Sequence, residues 1–176
     1  MAITNSSINN ITKKAAINFI KQKMTEEQYP YNQPPWRRSH RELSPDGKWT
    51  ANISKAYEIF MSGPTKGTLC ISDLFEIPDC SPTFVWSEDS RYLTIPQWKY
   101  FFRRRERLLV IDTQTKAIFA SSSKFHLLDL TTFSDGSIKG VDSPIHNPRE
   151  IEVSLDEVIK TYKRTIYPIS TANRQF

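Results

Sequence analysis

The densest chemistry in the chain lies in Trp98-Lys99-Tyr100-Phe101-Phe102-Arg103-Arg104-Arg105-Glu106-Arg107. Aromatic rings followed by guanidinium groups can stack on bases and hold phosphates. The same residue types dominate the energetic centres of protein–protein contacts. They also suit a β-hairpin whose rings enter a core and whose arginines form its wet tip. The candidate contact residues are therefore Trp98, Tyr100, Phe101, Phe102, Arg103, Arg104, Arg105 and Arg107. A second stretch, Asp73-Leu74-Phe75-Glu76-Ile77-Pro78-Asp79, sets acids among apolar residues. Its Asp73, Glu76 and Asp79 offer a surface to a basic partner.

Catalytic material is sparse. The 3 histidines, His40, His126 and His146, are scattered and lack metal-ligand spacing such as H-x-x-x-H. With 5 glycines in all, no phosphate-cradling loop, dinucleotide fingerprint or G-x-S-x-G elbow is present. An acid–base group can be drawn from Asp135 and Asp142 with His126 and His146, but no spacing demands it. Glu26-Glu27 and Glu88-Asp89 fit a helix end and a hairpin turn, where solvation accounts for them. The 2 cysteines, Cys70 and Cys80, make neither a disulfide framework nor a zinc site, and reduced thiols are expected. The reading is a non-enzyme with no metal and no cofactor.

At 176 residues the chain holds one domain with appendages and enough material for a core. Hydrophobic residues at 38% and charged residues at 24% place it with globular rather than disordered chains. A net charge of +5 permits an acidic partner, although it also serves solubility. No apolar run approaches the ~20 residues that span a bilayer. Met1–Ser7 lacks a basic stretch leading into an apolar core, so the expected location is cytoplasmic, away from membranes.

Helical spacing of Ile8, Ile11, Ala15, Phe19, Ile20 and Met24 predicts an amphipathic helix with lysines between them. Pro30, Pro34 and Pro35 then force an extended aromatic linker, and this appendage spans residues 1–40. From 41 to 153 the chain reads as short strands. Ser44-Pro45-Asp46-Gly47 is turn chemistry, followed by strands over Trp49–Ile53, Tyr57–Met61 and Thr68–Ser72. Ser87-Glu88-Asp89-Ser90 repeats that turn 43 residues later, before an alternating strand at Tyr92–Ile95. Pro96 is expected to end that ladder or to mark an edge. Leu108-Leu109-Val110-Ile111 is continuously apolar, which suits a strand buried on both faces. Ala117–Ser121 closes this second unit. A third, degenerate unit places Ser134-Asp135-Gly136 another 47 residues on, with strands at Ile138–Val141 and Glu150–Val153. Ser154-Leu155-Asp156-Glu157 is a capping box, so residues 154–176 are read as a helix to about Tyr162 and a tail.

A period of about 43–47 residues with several strands per unit resembles propeller blades. Ser44–Ala51 and Trp86–Leu93 resemble the first hairpin of a WD-repeat-like blade. Leu69–Leu74 and Leu109–Thr113 are similar to its third strand and turn. The resemblance implies a mainly β fold of about three blade-like antiparallel sheets, propeller-like or pinwheel, flanked by an N-terminal and a C-terminal helix. Three units are too few for an ordinary closed ring. A capped three-sheet array is the favoured arrangement, with a sandwich or a ring completed by two chains as alternatives. Such blades imply a rigid binding platform. The expected function is a non-catalytic protein-binding module, an immunity or inhibitor protein that neutralises a cognate toxin domain, as a monomer within the heterocomplex. The alternative is a nucleic-acid-binding module using the arginine-rich hairpin 98–107.

Overall fold

A computed structural model describes residues 29–160 apart from 32, 33, 38, 62, 73 and 102. The helix expected over residues 8–27 lies outside the described residues, as does everything after Lys160. Strands β1 (His40–Leu43), β2 (Thr50–Glu58), β3 (Thr65–Ile71) and β4 (Phe75–Cys80) run up and down as antiparallel neighbours. Strands β5 (Val85–Trp86), β6 (Tyr92–Phe101), β7 (Arg103–Asp112) and β8 (Ala117–Ala120) do the same. Strands β9 (Leu128–Ser134), β10 (Ser137–Asp142) and β11 (Arg149–Ser154) form a separate three-stranded sheet, and helix α1 (Leu155–Lys160) follows.

The expected three sheets are in fact two. Cys80 of β4 pairs with Gln97 of β6, and this single rung makes the first two runs one eight-stranded sheet. The cause is a mismatch in length: β6 has 10 residues and β5 only 2, so β6 overhangs and β4 takes up the free side. Among the described residues neither sheet closes into a ring or barrel, and α1 is the only helix. It is short, with Asp156 and Glu157 in its first turn and Lys160 in its last, as the helix dipole favours. No helix among the described residues is long and apolar enough to cross a membrane.

Pro96 does not end the ladder. It lies inside β6 opposite Leu108. Its carbonyl accepts from Ser81 N–H (2.9 Å), and the Leu108 carbonyl accepts from Ser121 N–H (2.8 Å). The two carbonyls of this pair therefore point away from each other, a rung that asks no amide proton of the proline.

Leu108, Leu109, Val110 and Ile111 are all fully buried. Alternation along β7 sends them to two cores. Leu109 and Ile111 join Ala51, Ile53, Leu69 and Ile71 from the first run. Leu108 and Val110 join Leu128, Leu130, Phe133, Ile138 and Val158 from the third sheet and α1. At roughly 1.5–3 kcal/mol per buried aliphatic side chain, β7 is the one strand among the described residues that gives two fully buried side chains to each core.

Two turns of one kind join β1 to β2 and β5 to β6. Ser44 Oγ donates to Asp46 Oδ1 (2.7 Å), while Trp49 N–H donates to Ser44 Oγ (3.0 Å) and Lys48 N–H to Asp46 Oδ1 (3.1 Å). In the second turn Ser87 Oγ donates to Asp89 Oδ1 (2.6 Å), Tyr92 N–H to Ser87 Oγ (2.8 Å) and Arg91 N–H to Asp89 Oδ1 (3.1 Å). Each turn needs one residue with positive φ, filled by Gly47 (72°) in the first and Ser90 (63°) in the second. The turns also touch, because Asp46 N–H donates to Ser90 Oγ (2.9 Å). The connector between the two runs is buried at Ser81, Thr83 and Phe84, and Thr83 Oγ1 donates to the Leu128 carbonyl (2.9 Å).

Candidate interaction surface

The β6–β7 hairpin is an unbroken ladder from Tyr92 opposite Asp112 to Phe101 opposite Arg103. It separates the predicted contact residues into two groups. Trp98 is a correction: only 4% of it is exposed. Its indole N–H donates to Ser81 Oγ (3.1 Å), and the same hydroxyl donates to the carboxylate of Glu106, which faces Trp98 across the ladder. Glu106 also accepts from Leu128 N–H, and its main chain exchanges bonds with Phe125. Burial pushes the Glu106 carboxyl up to about 8, with the nearby Asp142 and Asp129 charges adding to the effect, against the Ser81 and Leu128 bonds. Trp98 and Glu106 are thus part of the junction between β7, the connector and the third sheet. A tryptophan next to an arginine run carries no local sign that its opposite neighbour is a buried acid.

Toward the tip the hairpin opens to solvent. Arg104 is exposed and its guanidinium stands 5.7 Å from the centroid of the Phe60 ring. Arg105 is half-buried, with Nη1 donating to the Arg104 carbonyl (3.2 Å). Arg107 is also half-buried and forks onto Gln97 Oε1 through Nε (3.2 Å) and Nη2 (2.9 Å). Tyr100, Phe101 and Arg103 are placed by ladder register alone. Phe102 lies outside the described residues.

The acidic segment is also corrected. Asp79 is ion-paired with Lys66, so it is not an open acid for a basic partner. A positive φ of 61° at Asp79 accompanies the irregular register between β3 and β4, where Gly67 faces Cys80. Glu76 is exposed opposite Cys70. Asp73 lies outside the described residues.

The sequence reading missed the other half of this surface. Tyr57–Met61 was expected to be strand, but β2 ends at Glu58 and the chain turns there. Ile59 N–H donates to the Pro64 carbonyl (2.9 Å) and Gly63 N–H to the Phe60 carbonyl (2.8 Å). The result exposes Tyr57 (56%), Phe60 (47%) and Met61 (92%). Lys66 Nζ lies 5.3 Å from the Tyr57 ring centroid. The usable signal was Ser62-Gly63-Pro64, which lies too close to Met61 for a strand to continue through it. The β2–β3 and β6–β7 tips therefore meet at Phe60 and Arg104.

The acid–base group drawn from the sequence comes together only in part. His126 Nδ1 is 3.5 Å from Asp142 Oδ2. That carboxylate already accepts from His126 N–H (2.8 Å), Leu127 N–H (3.2 Å) and Arg149 Nη2 (2.9 Å). Burial opposes its charge, but those main-chain and guanidinium donors outweigh it and hold Asp142 below the usual carboxylate range. It pins residues 126–127 to the end of β10. Asp135 sits in the β9–β10 turn with φ of 49°, and His146 is exposed in the turn after Ser143. His40 is buried, its ring 4.4 Å from that of Phe84. Cys70 and Cys80 are free thiols. Among the described residues no group of three His, Cys, Asp or Glu side chains is positioned to hold a metal ion.

No protein-family model, curated protein or solved structure shows significant similarity to the chain.

Proposed function

We propose that the chain is a non-catalytic protein-binding module that acts by forming a stoichiometric complex through the paired tips of β2–β3 and β6–β7. The observation that carries this is the grouping of Tyr57, Phe60 and Met61, each about half exposed or more, with Arg104 against the Phe60 ring. Scattered exposed apolar side chains are ordinary, but an aromatic, methionine and arginine group on one rim has the composition of an interface centre. The long unbroken hairpin supplies a rigid mount, so little ordering entropy opposes binding. The WD-repeat-like blade reading belongs to the same proposal, since such blades serve as binding platforms. In its narrower form the partner is a toxin domain neutralised by this chain.

The test is capture from the native host on immobilised protein, with wild type beside Phe60→Asp and Met61→Asp. A partner retained at about one-to-one and lost on the variants is the expected result. A partner indifferent to both substitutions, or retention only of nuclease-sensitive material, ends the reading.

A further inference from the structure

The β6–β7 ladder contains an electrostatic conflict. Lys99 stands directly opposite Arg105, and Arg107 follows two residues along β7, opposite Gln97. Residues two apart on a strand share a face, so the three cations form one row. Like charges placed directly across a ladder oppose pairing. Several cations elsewhere have an acid beside them: Lys48 has Asp46 at 3.0 Å, Lys139 has Glu152 at 3.6 Å and Lys160 has Asp156 at 3.7 Å. The acid that acts on Lys99 is Asp79, which Lys66 already holds. Burial, followed by the charge of Arg107, lowers the pKa of the Lys99 ammonium. A like-charged pair kept on a well-formed strand is a local rule broken, and such breaks concentrate at functional sites.

Resting on the protein-binding reading above, we infer that the partner presents an extended acidic segment whose carboxylates meet the row formed by Lys99, Arg105 and Arg107. Alternate side chains of an extended segment recur at about 6.6–6.8 Å, the spacing of same-face positions along β6 and β7. A carboxylate at the Lys99–Arg105 pair replaces repulsion with two charge-assisted contacts. The surface fits a nucleic acid less well. The Phe60 ring already carries Arg104 and the Tyr57 ring carries Lys66, which reduces the ring face open to a base. Met61, the most exposed apolar residue here, anchors side chains rather than stacking bases.

The test is fluorescence anisotropy at low ionic strength with three labelled probes. One is a peptide alternating glutamate with valine around one tryptophan, the second is its glutamine analogue, and the third is an oligothymidylate of equal formal charge. The acidic peptide binds, and its Kd rises on the order of tenfold in Lys99→Glu/Arg105→Glu. Lys99→Gln/Arg105→Gln shows a smaller rise in the same direction, and circular dichroism confirms that both variants fold. The glutamine analogue binds at least about tenfold more weakly than the acidic peptide. Equal binding of the two peptides, both weakened by Met61→Ala, overturns the acidic partner and leaves the protein-binding reading standing. Tighter binding of the oligothymidylate, lost in the same charge variants, overturns both. No binding of the acidic peptide overturns the inference alone.

Discussion

The β1–β4 and β5–β8 runs start from the same turn and end in different physical situations. Ser44-x-Asp46 and Ser87-x-Asp89 make the same side-chain bonds, yet the hairpins they launch diverge. β2 against β3 is interrupted between Ser54 and Tyr57, with Lys55 at φ of 53°, whereas β6 against β7 has no interruption. The second run is packed on both faces, and the first contributes to only one of the two cores. A turn therefore dictates how the strand after it begins. What lies against its faces decides how long and how regular it becomes. The run buried on both sides could extend its ladder outward, and the overhang became the mount for the exposed Arg104.

The sharpest way to break this comparison is to cut adjacent residues of β7. Leu109→Ala and Leu108→Ala each remove a fully buried side chain, and each should cost about 2–5 kcal/mol in denaturant unfolding. Hydrogen exchange should then separate them. Leu109→Ala is expected to speed exchange in β2 and β3, and Leu108→Ala in β9 and β10. Equal loosening of every strand in both variants would contradict the two-core division.

A smaller effect is expected at the junction that only the second run possesses. The folded-state value of Glu106, about 8, lies above its ordinary 4.5. Stability linked to its neutral form is therefore fully present below pH 4.5 and is lost as pH rises through about 8. The slope in that window reaches up to about 1.4 kcal/mol per pH unit. The protonated carboxyl can donate to Ser81 Oγ while still accepting from Leu128 N–H, and an amide can do the same. Glu106→Gln should flatten the stability curve over this window and raise the melting temperature at pH 9. A wild-type curve parallel to that of the variant would show that the carboxyl is not held neutral.

The smallest effects test how far the two turns are equivalent. Ser44→Ala and Ser87→Ala should each cost about 1 kcal/mol, since each removes a side chain that bonds both an acid and a main-chain N–H. Gly47→Ser should cost a further roughly 1–2 kcal/mol, because a Cβ enters the left-handed region. Ser90→Gly relieves that strain but loses the bond to Asp46 N–H, so its net change should stay within about 0.5 kcal/mol. Thermal unfolding of the four variants checks the order, and a costly Ser90→Gly would give the contact between turns more weight than the strain.

Much of this was legible where periodicity and turn chemistry agree. The unbroken apolar run Leu108–Ile111 required two covered faces, and the Ser-x-Asp turns required strands on either side. The capping box at Ser154 marked the start of α1. Strands β1 (His-Arg-Glu-Leu) and β4 (Phe-Glu-Ile-Pro-Asp-Cys) were not legible, because charged and proline-containing segments become strands only when a neighbour lends them a ladder. Pro96 misled because the rule against proline in a ladder depends on which way the rung's carbonyls face. Of the candidate surface, the exposed Arg104 was legible from the arginine run. The burial of Trp98 depends on long-range packing and left no local trace, whereas the turn that exposes Met61 was signalled by Ser62-Gly63-Pro64.

The buried connector from Ser81 to Phe84 has a practical consequence for protein engineering. Linkers between repeated units are ordinarily the places where tags, reporters or new termini can be inserted. Here Ser81 and Thr83 bond inward to Glu106 and Leu128, so an insertion would separate both sheets at once. The exposed turn at Gln114–Lys116 carries no such duty. A split reporter or a circular permutant of this chain should therefore open within the second run, and leave the boundary between the runs intact.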